Sequence, residues 1–225
     1  MKIKALQMIS SMCGVLLSIF SFSSCAEHKS QDNIMSDDRT IQAVKTDTAT
    51  LATGCFWCTE AIFQRLKGVV KVVSGYSGGK VANPSYEEVC TGTTGHAEAC
   101  QVIYDPSQIS FDELLKVFWK THDPTTLNRQ GNDVGTQYRS VVFYHNEFQK
   151  ERAEHFKHEI DSAKIYPNPI VTAIEPYTNF YSAEDYHQNY FNSNPNQMYC
   201  RLVILPKVEK FEKIFKDELK PGVTQ

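Results

Sequence analysis

The chain carries no surplus of basic charge. Its 23 Lys and Arg residues stand against 26 Asp and Glu, a formal net charge of −3. The basic face that nucleic-acid binding requires is therefore not expected. The sequence has no internal repeat, which argues against a solenoid or propeller. Beyond about residue 46 no apolar run approaches the roughly 20 residues that a helix needs to cross a bilayer. A balanced set of half-cystines is also missing. Of seven cysteines, Cys13 and Cys25 lie near the start, which leaves Cys55, Cys58, Cys90, Cys100 and Cys200. An odd number argues against a purely structural disulfide framework and is consistent with thiols that do chemistry.

The first residues read as an address. Lys2 and Lys4 precede an apolar stretch, Val15-Leu16-Leu17-Ser18-Ile19-Phe20, and then Phe22-Ser23-Ser24-Cys25. This is the layout of a secretory signal over residues 1–25. Small residues before a cysteine resemble the cleavage box of a bacterial lipoprotein, with Cys25 as the lipid-carrying residue; Phe22 departs from the usual Leu. A cleaved signal without lipid is the alternative. Residues 26–45 are polar, without aromatics, and read as a flexible linker. Residues 46–225 are long enough for one domain with a full core.

Within that domain, Gly54-Cys55-Phe56-Trp57-Cys58 is the most informative stretch. It follows a short apolar run and opens an amphipathic pattern, which sets a thiol at the first turn of a helix. Free N–H groups and the helix dipole favour a thiolate there, and such positions lower a cysteine pKa from about 8.5 toward 7 or below. The neighbouring aromatics suit an apolar group held against the sulfur. Taken alone, the stretch reads equally well as a buried cysteine pair packed under a tryptophan.

Periodicity supplies the layout. Thr48–Thr53 is expected to be a strand and Trp57–Leu66 an amphipathic helix ended by Gly68. Val69–Tyr76 is a second strand, followed by a long loop through Gly75, Gly78, Gly79, Asn83 and Pro84. A third strand runs from Ala97 to Tyr104. Ser110-Phe111-Asp112-Glu113 is a capping box, with Ile109 and Leu114 as a hydrophobic staple, and the helix it opens buries Leu115, Phe118 and Trp119 until Asp123-Pro124 stops it. Ser140–Tyr144 is a strand, Glu147–Ser162 a charged helix, and Ile170–Ile174 a further strand. The order β-α-β-β-α-β with additions predicts an α+β fold, a two-layer split βαβ (ferredoxin-like) sandwich with long functional loops.

Two of those loops hold polar constellations. Gly95-His96-Ala97-Glu98 leads into the third strand, where the Glu98 carboxyl can be shielded. A desolvated carboxyl has a raised pKa and can donate a proton. By itself Glu98 is read first as a surface residue of the strand. Gln130 to Ser140 gathers Asp133, Tyr138 and several amides in one glycine-flanked loop. From the loop alone the favoured reading is a solvated loop with Tyr138 packed as a lid; near Glu98, the phenol could hydrogen-bond a polar substrate oxygen.

Taken together, Gly54-Cys55-Phe56-Trp57, Ser74-Gly75-Tyr76, Asn83 to Cys90, Gly95-His96-Ala97-Glu98, Gly135-Thr136-Gln137-Tyr138-Arg139-Ser140, Tyr186-His187-Gln188-Asn189-Tyr190, Asn194-Pro195 and Tyr199-Cys200 resemble the A-type peptide methionine sulfoxide reductases. The match runs in order from about Leu51 to Leu205. The resemblance implies reduction of methionine S-sulfoxide, free or in proteins, and so repair of oxidised proteins. Cys55 would attack the sulfoxide sulfur while Phe56 and Trp57 hold the methyl group. Glu98 would protonate the oxygen. Tyr86 and Tyr138 would hydrogen-bond that oxygen, with Asp133 helping to arrange them. A sulfenic acid on Cys55 is the implied product. No metal or organic cofactor is implied, and the reductant would be thioredoxin or another dithiol. The remaining expectations are no nucleic-acid partner, membrane attachment only through a lipid on Cys25, a cell-envelope location and a monomer.

Two thiols could resolve the sulfenic acid. Cys200 occupies the Tyr-Cys segment where many family members keep a resolving cysteine and is slightly favoured. Cys58 stands where many members have Gly and others Cys. Its i, i+3 spacing from Cys55, about 5–6 Å on a helix, falls in the disulfide range. Cys90 and Cys100 are expected to be packed strand or loop thiols. Two other classes fit parts of the sequence. One is a thioredoxin-like disulfide oxidoreductase built on the CxxC, which leaves Glu98 and Tyr138 unexplained. The other is a zinc lipoprotein using Cys55, Cys58, Cys90, His96 and Cys100, whose spacing is irregular.

Overall fold

The computed structural model describes residues 45–222. The expected signal and its Cys25, and the linker save for Lys45, lie outside them. Eight strands are present: β1 (Asp47–Thr53), β2 (Val69–Ser77), β3 (Ala97–Tyr104), β4 (Arg129–Gln130), β5 (Asp133–Val134), β6 (Ser140–Tyr144), β7 (Ala173–Pro176) and β8 (Phe180–Ser182). The helices are α1 (Phe56–Phe63), α2 (Tyr86–Cys90), α3 (Phe111–Thr121), α4 (Glu147–Ser162), α5 (Tyr190–Ser193) and α6 (Leu205–Ile214). Six strands form one mixed sheet in the order β7-β6-β1-β3-β2-β8, in which β7 runs parallel to β6 and the other neighbours are antiparallel. β4 and β5 make a separate two-stranded hairpin. The fold is α+β.

Alternation in β1 sets the two faces of the sheet. Ala49 and Leu51 join the main core with Ile62, Phe63, Leu114, Leu115, Phe118 and Phe211. Ala52 turns the other way, to a smaller cluster with Ala97, Ala99, Val141 and Phe143. Helix α3 is docked by its buried stripe of Leu114, Leu115, Phe118 and Trp119, each contributing about 1.5–3 kcal/mol of burial. The Ser110–Glu113 capping box is formed in both directions, worth about 1 kcal/mol. Replacing Leu115 with Ala would remove about 2–5 kcal/mol.

Several boundaries differ from expectation, each for a local reason. Helix α1 begins at Phe56 with Cys55 as its N-cap and ends at Phe63, because Leu66 leaves to bridge Leu219. Gly75 lies inside β2. The loop after it contains α2, whose Ser85–Glu88 capping box was legible but unread. Strand β7 starts at Ala173, not Ile170. Before it, Val171 N–H bonds Pro124 C=O at 2.9 Å and the Thr172 hydroxyl lies 2.8 Å from Ser140 Oγ, so this stretch docks on the α3–β6 connection before ladder pairing begins. No helix among the described residues is long and apolar enough to cross a membrane.

Candidate active site

The turn from β1 into α1 can only be made by glycine. Gly54 has φ +98°, and a Cβ there would sit 2.6 Å from Gln130 Cβ. Cys55 follows as N-cap, its carbonyl accepting from Cys58 N–H at 3.1 Å and Thr59 N–H at 3.3 Å. The Thr59 and Thr53 hydroxyls, 2.6 Å apart, tie the helix start to the strand end.

Glu98 is carried to this helix start by β3. It is 2 % exposed, so the surface alternative is set aside. Its Oε2 accepts from Phe56 N–H at 3.0 Å. Burial, then the neighbouring Cys55 charge, push its carboxyl well above the usual range. Burial thus favours its protonated form at the mouth of a helix.

The thiolate expected at Cys55 is not favoured in the resting site, and this corrects the sequence reading. Cys55 is 6 % exposed, and burial is the largest of the effects that push its thiol well up, ahead of contact with Cys58. The first free helical N–H, that of Phe56, is given to Glu98 and not to the sulfur. Desolvation therefore outweighs the dipole of an eight-residue helix. Cys58 moves the other way. The Cys55 hydrogen bond holds its thiol down against burial, with help from Lys207, whose Nζ lies 3.6 Å from Cys58 Sγ. Cys200 is fully buried on a π-helical turn, Cys200–Ile204, that runs into α6; burial and the Cys55 charge raise its thiol.

The phenols come from a helix start, a strand and a turn. Tyr86 opens α2. Its N–H is held by Glu184 Oε1 at 2.9 Å, while Glu184 Oε2 takes the Tyr76 hydroxyl at 2.9 Å. Tyr76 pairs with Glu98 across β2 and β3. Tyr138 sits on a turn fixed by Arg139, whose guanidinium donates to Gly95 C=O at 3.0 Å, three residues before Glu98. Burial, then the Glu98 charge, raise both phenols, so they remain donors at neutral pH. Asp133 has a different partner from the one expected: its Oδ2 accepts the Tyr199 hydroxyl at 2.6 Å.

Trp57 is pinned on every side. Its indole N–H donates to His187 Nδ1 at 3.1 Å, Tyr190 stacks on it at 3.7 Å, and Tyr199 stands edge-on at 5.7 Å. Phe56 is buried between Tyr76 and His187. Sequence reasoning quoted His187, Tyr190 and Tyr199 as motif residues but gave them no role. Each meets Trp57 from 130 or more positions away in the chain, beyond the reach of local pattern. Cys100 is a packed strand thiol, donating to Phe56 C=O at 3.5 Å. Cys90 is not packed; it is exposed at the end of α2. His96, a ligand in the zinc alternative, has both ring nitrogens engaged, by Gly79 N–H at 3.1 Å and Val81 C=O at 2.8 Å. Among the described residues no group of three or more His, Cys, Asp or Glu side chains is arranged to hold a metal ion.

Residues 47–219 match the family model described as peptide methionine sulfoxide reductase. The chain is 57 % identical over 187 residues to peptide methionine sulfoxide reductase MsrA 1 of Rhodopirellula baltica, covering 81 % of this chain and 96 % of that protein. It is 55 % identical to MsrA of Thermus thermophilus, covering 78 % and 98 %. Among solved structures it is similar to reduced Mxr1 from Saccharomyces cerevisiae, with TM-score 0.65, 41 % identity and coverage of 69 % and 90 %. It is also similar to methionine sulfoxide reductase A of Corynebacterium diphtheriae, with TM-score 0.62, 39 % identity and coverage of 69 % and 78 %. With most of its length matched, the chain belongs to the peptide methionine sulfoxide reductase family.

Proposed function

We propose that Cys55 is the nucleophile of a thiol-dependent methionine sulfoxide reduction, with Glu98 as its acid. The observation that carries this reading is the buried Glu98 carboxyl on the Phe56 N–H, beside Cys55. The Cys55 sulfur bonds to the sulfoxide sulfur as Glu98 protonates the oxygen, and the Cys55 thiol proton returns to Glu98, which is again an acid for the next step. Two electrons pass from Cys55 to the substrate sulfur, so a thiol and a sulfoxide become a sulfenic acid and a thioether. Tyr86 and Tyr138 donate to the oxygen, and Phe56 and Trp57 hold the methyl group. Asp133 acts through Tyr199, which it fixes beside Cys55.

Cys58 is the partner we assign to the Cys55 sulfenic acid. It contacts Cys55 directly, and its thiol is the one held low, while that of Cys200 is raised. Cys200 then serves as a second relay. A thioredoxin-like dithiol closes the cycle, with no prosthetic group. Export, a lipid on Cys25, a cell-envelope location and a monomeric state complete the reading; the leader layout of residues 1–25 supports the first three. The split βαβ reading of the scaffold is supported by the central order β6-β1-β3-β2, with β7 and β8 added at the edges.

The direct test is turnover of free and peptide-bound methionine sulfoxide with dithiothreitol, separated by sulfur epimer. Consumption of the S epimer alone is expected. Consumption of the R epimer at a comparable rate would refute the proposed substrate class.

A further inference from the structure

We infer that Lys207 is a further catalytic residue: its ammonium, on Cys58 Sγ, holds the thiol pair's negative charge at Cys58 and so drives the attack on the Cys55 sulfenic acid. This rests on the reading of Cys58 as the resolving thiol.

Lys207 lies in the first turns of α6, some 150 positions from Cys58, and is half-buried. Its Nζ approaches Cys58 Sγ at 3.6 Å, and among the described residues it forms no ion pair with a carboxylate. A lysine that ends on a buried thiol while acids are available elsewhere is placed for that thiol. The ammonium borders a cavity shared with His122, Asp123 and Gln130, which gives it a route to solvent protons. The groups that act on Cys58 come from several elements. Cys55 donates to it from its own helix, Lys207 faces it from α6, Asp133 from β5 opposes the charge, and the Tyr199 phenol stands nearby. His122 beside the cavity is neutral, because burial pushes its imidazole down to about 4. Lys120 and Lys210 line the same cavity, and Lys207 is the one whose ammonium contacts Cys58 Sγ.

The step balances. The Cys58 thiolate attacks the Cys55 sulfur, an S–S bond forms and the S–O bond breaks. Hydroxide leaves with the electron pair and takes a proton from the Glu98 carboxyl, giving water. Both sulfurs end in the disulfide, so the oxidising equivalents of the sulfenic acid are conserved. An unassisted thiol with pKa about 8.5 is only a few per cent ionised at pH 7, and the greater thiolate fraction outweighs the reduced nucleophilicity of a less basic sulfur. Removing the ammonium is then expected to slow disulfide formation about fivefold at neutral pH.

The experiment forms the sulfenic acid in a single turnover and follows the disulfide by quenched mass mapping in wild type, Lys207→Met and Lys207→Arg across pH 6 to 9. Thiolate absorbance near 240 nm of the reduced proteins is read alongside. The wild type should give a Cys55–Cys58 disulfide at a rate that is nearly flat above neutrality. Lys207→Met should be slower at pH 7, climb with pH toward the wild-type rate, and show less thiolate absorbance at pH 7; Lys207→Arg should restore both. A wild-type rate, pH profile and thiolate content in Lys207→Met, with Cys55–Cys58 still forming, would overturn the role of Lys207 alone. A first disulfide between Cys55 and Cys200 in the wild type would overturn the assignment of Cys58, and the inference with it.

Discussion

Replacing Glu98 with Gln separates the acid's chemistry from its structural bond. The native carboxyl accepts from Phe56 N–H at 3.0 Å, and the glutamine carbonyl can accept the same bond, so the start of α1 should stay in place. What is lost is the transferable proton. General acid catalysis contributes about 10²–10⁴ in rate, so methionine release in a single turnover of reduced enzyme should fall by that factor. Stability should move the opposite way. Burial raises the carboxyl above its unfolded value, so its favourable contribution is full below the unfolded pKa of about 4.3 and is lost as pH rises through the folded value. Glutamine carries no such loss, and the variant should be at least as stable as wild type at neutral pH. Glu98→Ala should behave differently, leaving the Phe56 N–H without a partner at a cost of about 1–3 kcal/mol. Rapid-quench single turnovers and urea unfolding at pH 7 measure both quantities. A Glu98→Gln variant that releases methionine within a few-fold of the wild-type rate would refute the role given to this carboxyl.

Three further outcomes follow from the same geometry. Gly54→Ala should cost about 1–3 kcal/mol, because alanine must adopt a left-handed backbone and displace Gln130; equal urea midpoints would contradict that. His122 bonds Phe118 C=O and Ser140 Oγ, each at 2.7 Å, with an imidazole lowered to about 4 by burial. The unfolded chain then takes up a proton that the folded protein refuses. Stability is full above the unfolded pKa of about 6.5 and falls by about 3 kcal/mol as pH drops toward 4. His122→Gln should flatten that slope in urea unfolding at pH 7 and pH 4, and an unchanged slope would sink the account. With thioredoxin as reductant, Cys58→Ser should release one methionine per enzyme and then turn over poorly, and a small thiol should restore some activity. Normal cycling by both Cys58→Ser and the Cys58→Ser, Cys200→Ser double variant would remove Cys58 from the relay.

Much of the scaffold was readable because its signals are local. The Ser110–Glu113 box, the stripe from Leu114 to Trp119 and the alternation of Thr48–Thr53 each lie within a few turns of chain, and each formed as expected. The Gly54–Cys58 stretch was readable for a similar reason, since a glycine before a helix start carries its own backbone logic. The protonation state of the site was not. A helix-start cysteine reads as a thiolate until one knows that the site is buried and that Phe56 N–H serves Glu98. The partners of Trp57 and Cys58, namely His187, Tyr199 and Lys207, come from distant segments. The packing of the segment from Asp185 through α6 on α1 brings them in. Strand β7 was misplaced because Ile170 and Val171 are β-formers whose backbone is used elsewhere.

The central claim is that Cys55 reduces the substrate and is itself oxidised to a sulfenic acid. Its most direct test is one turnover of a Cys58→Ser, Cys200→Ser double variant, with methionine quantified and sulfenic acid trapped by a dimedone-type reagent and mapped by mass spectrometry. The account predicts one methionine per chain and a matching yield of adduct on Cys55, with neither product when Cys55 is also replaced by Ser. Methionine released without modification of Cys55, or an adduct mapped to Cys90 or Cys100, would contradict it.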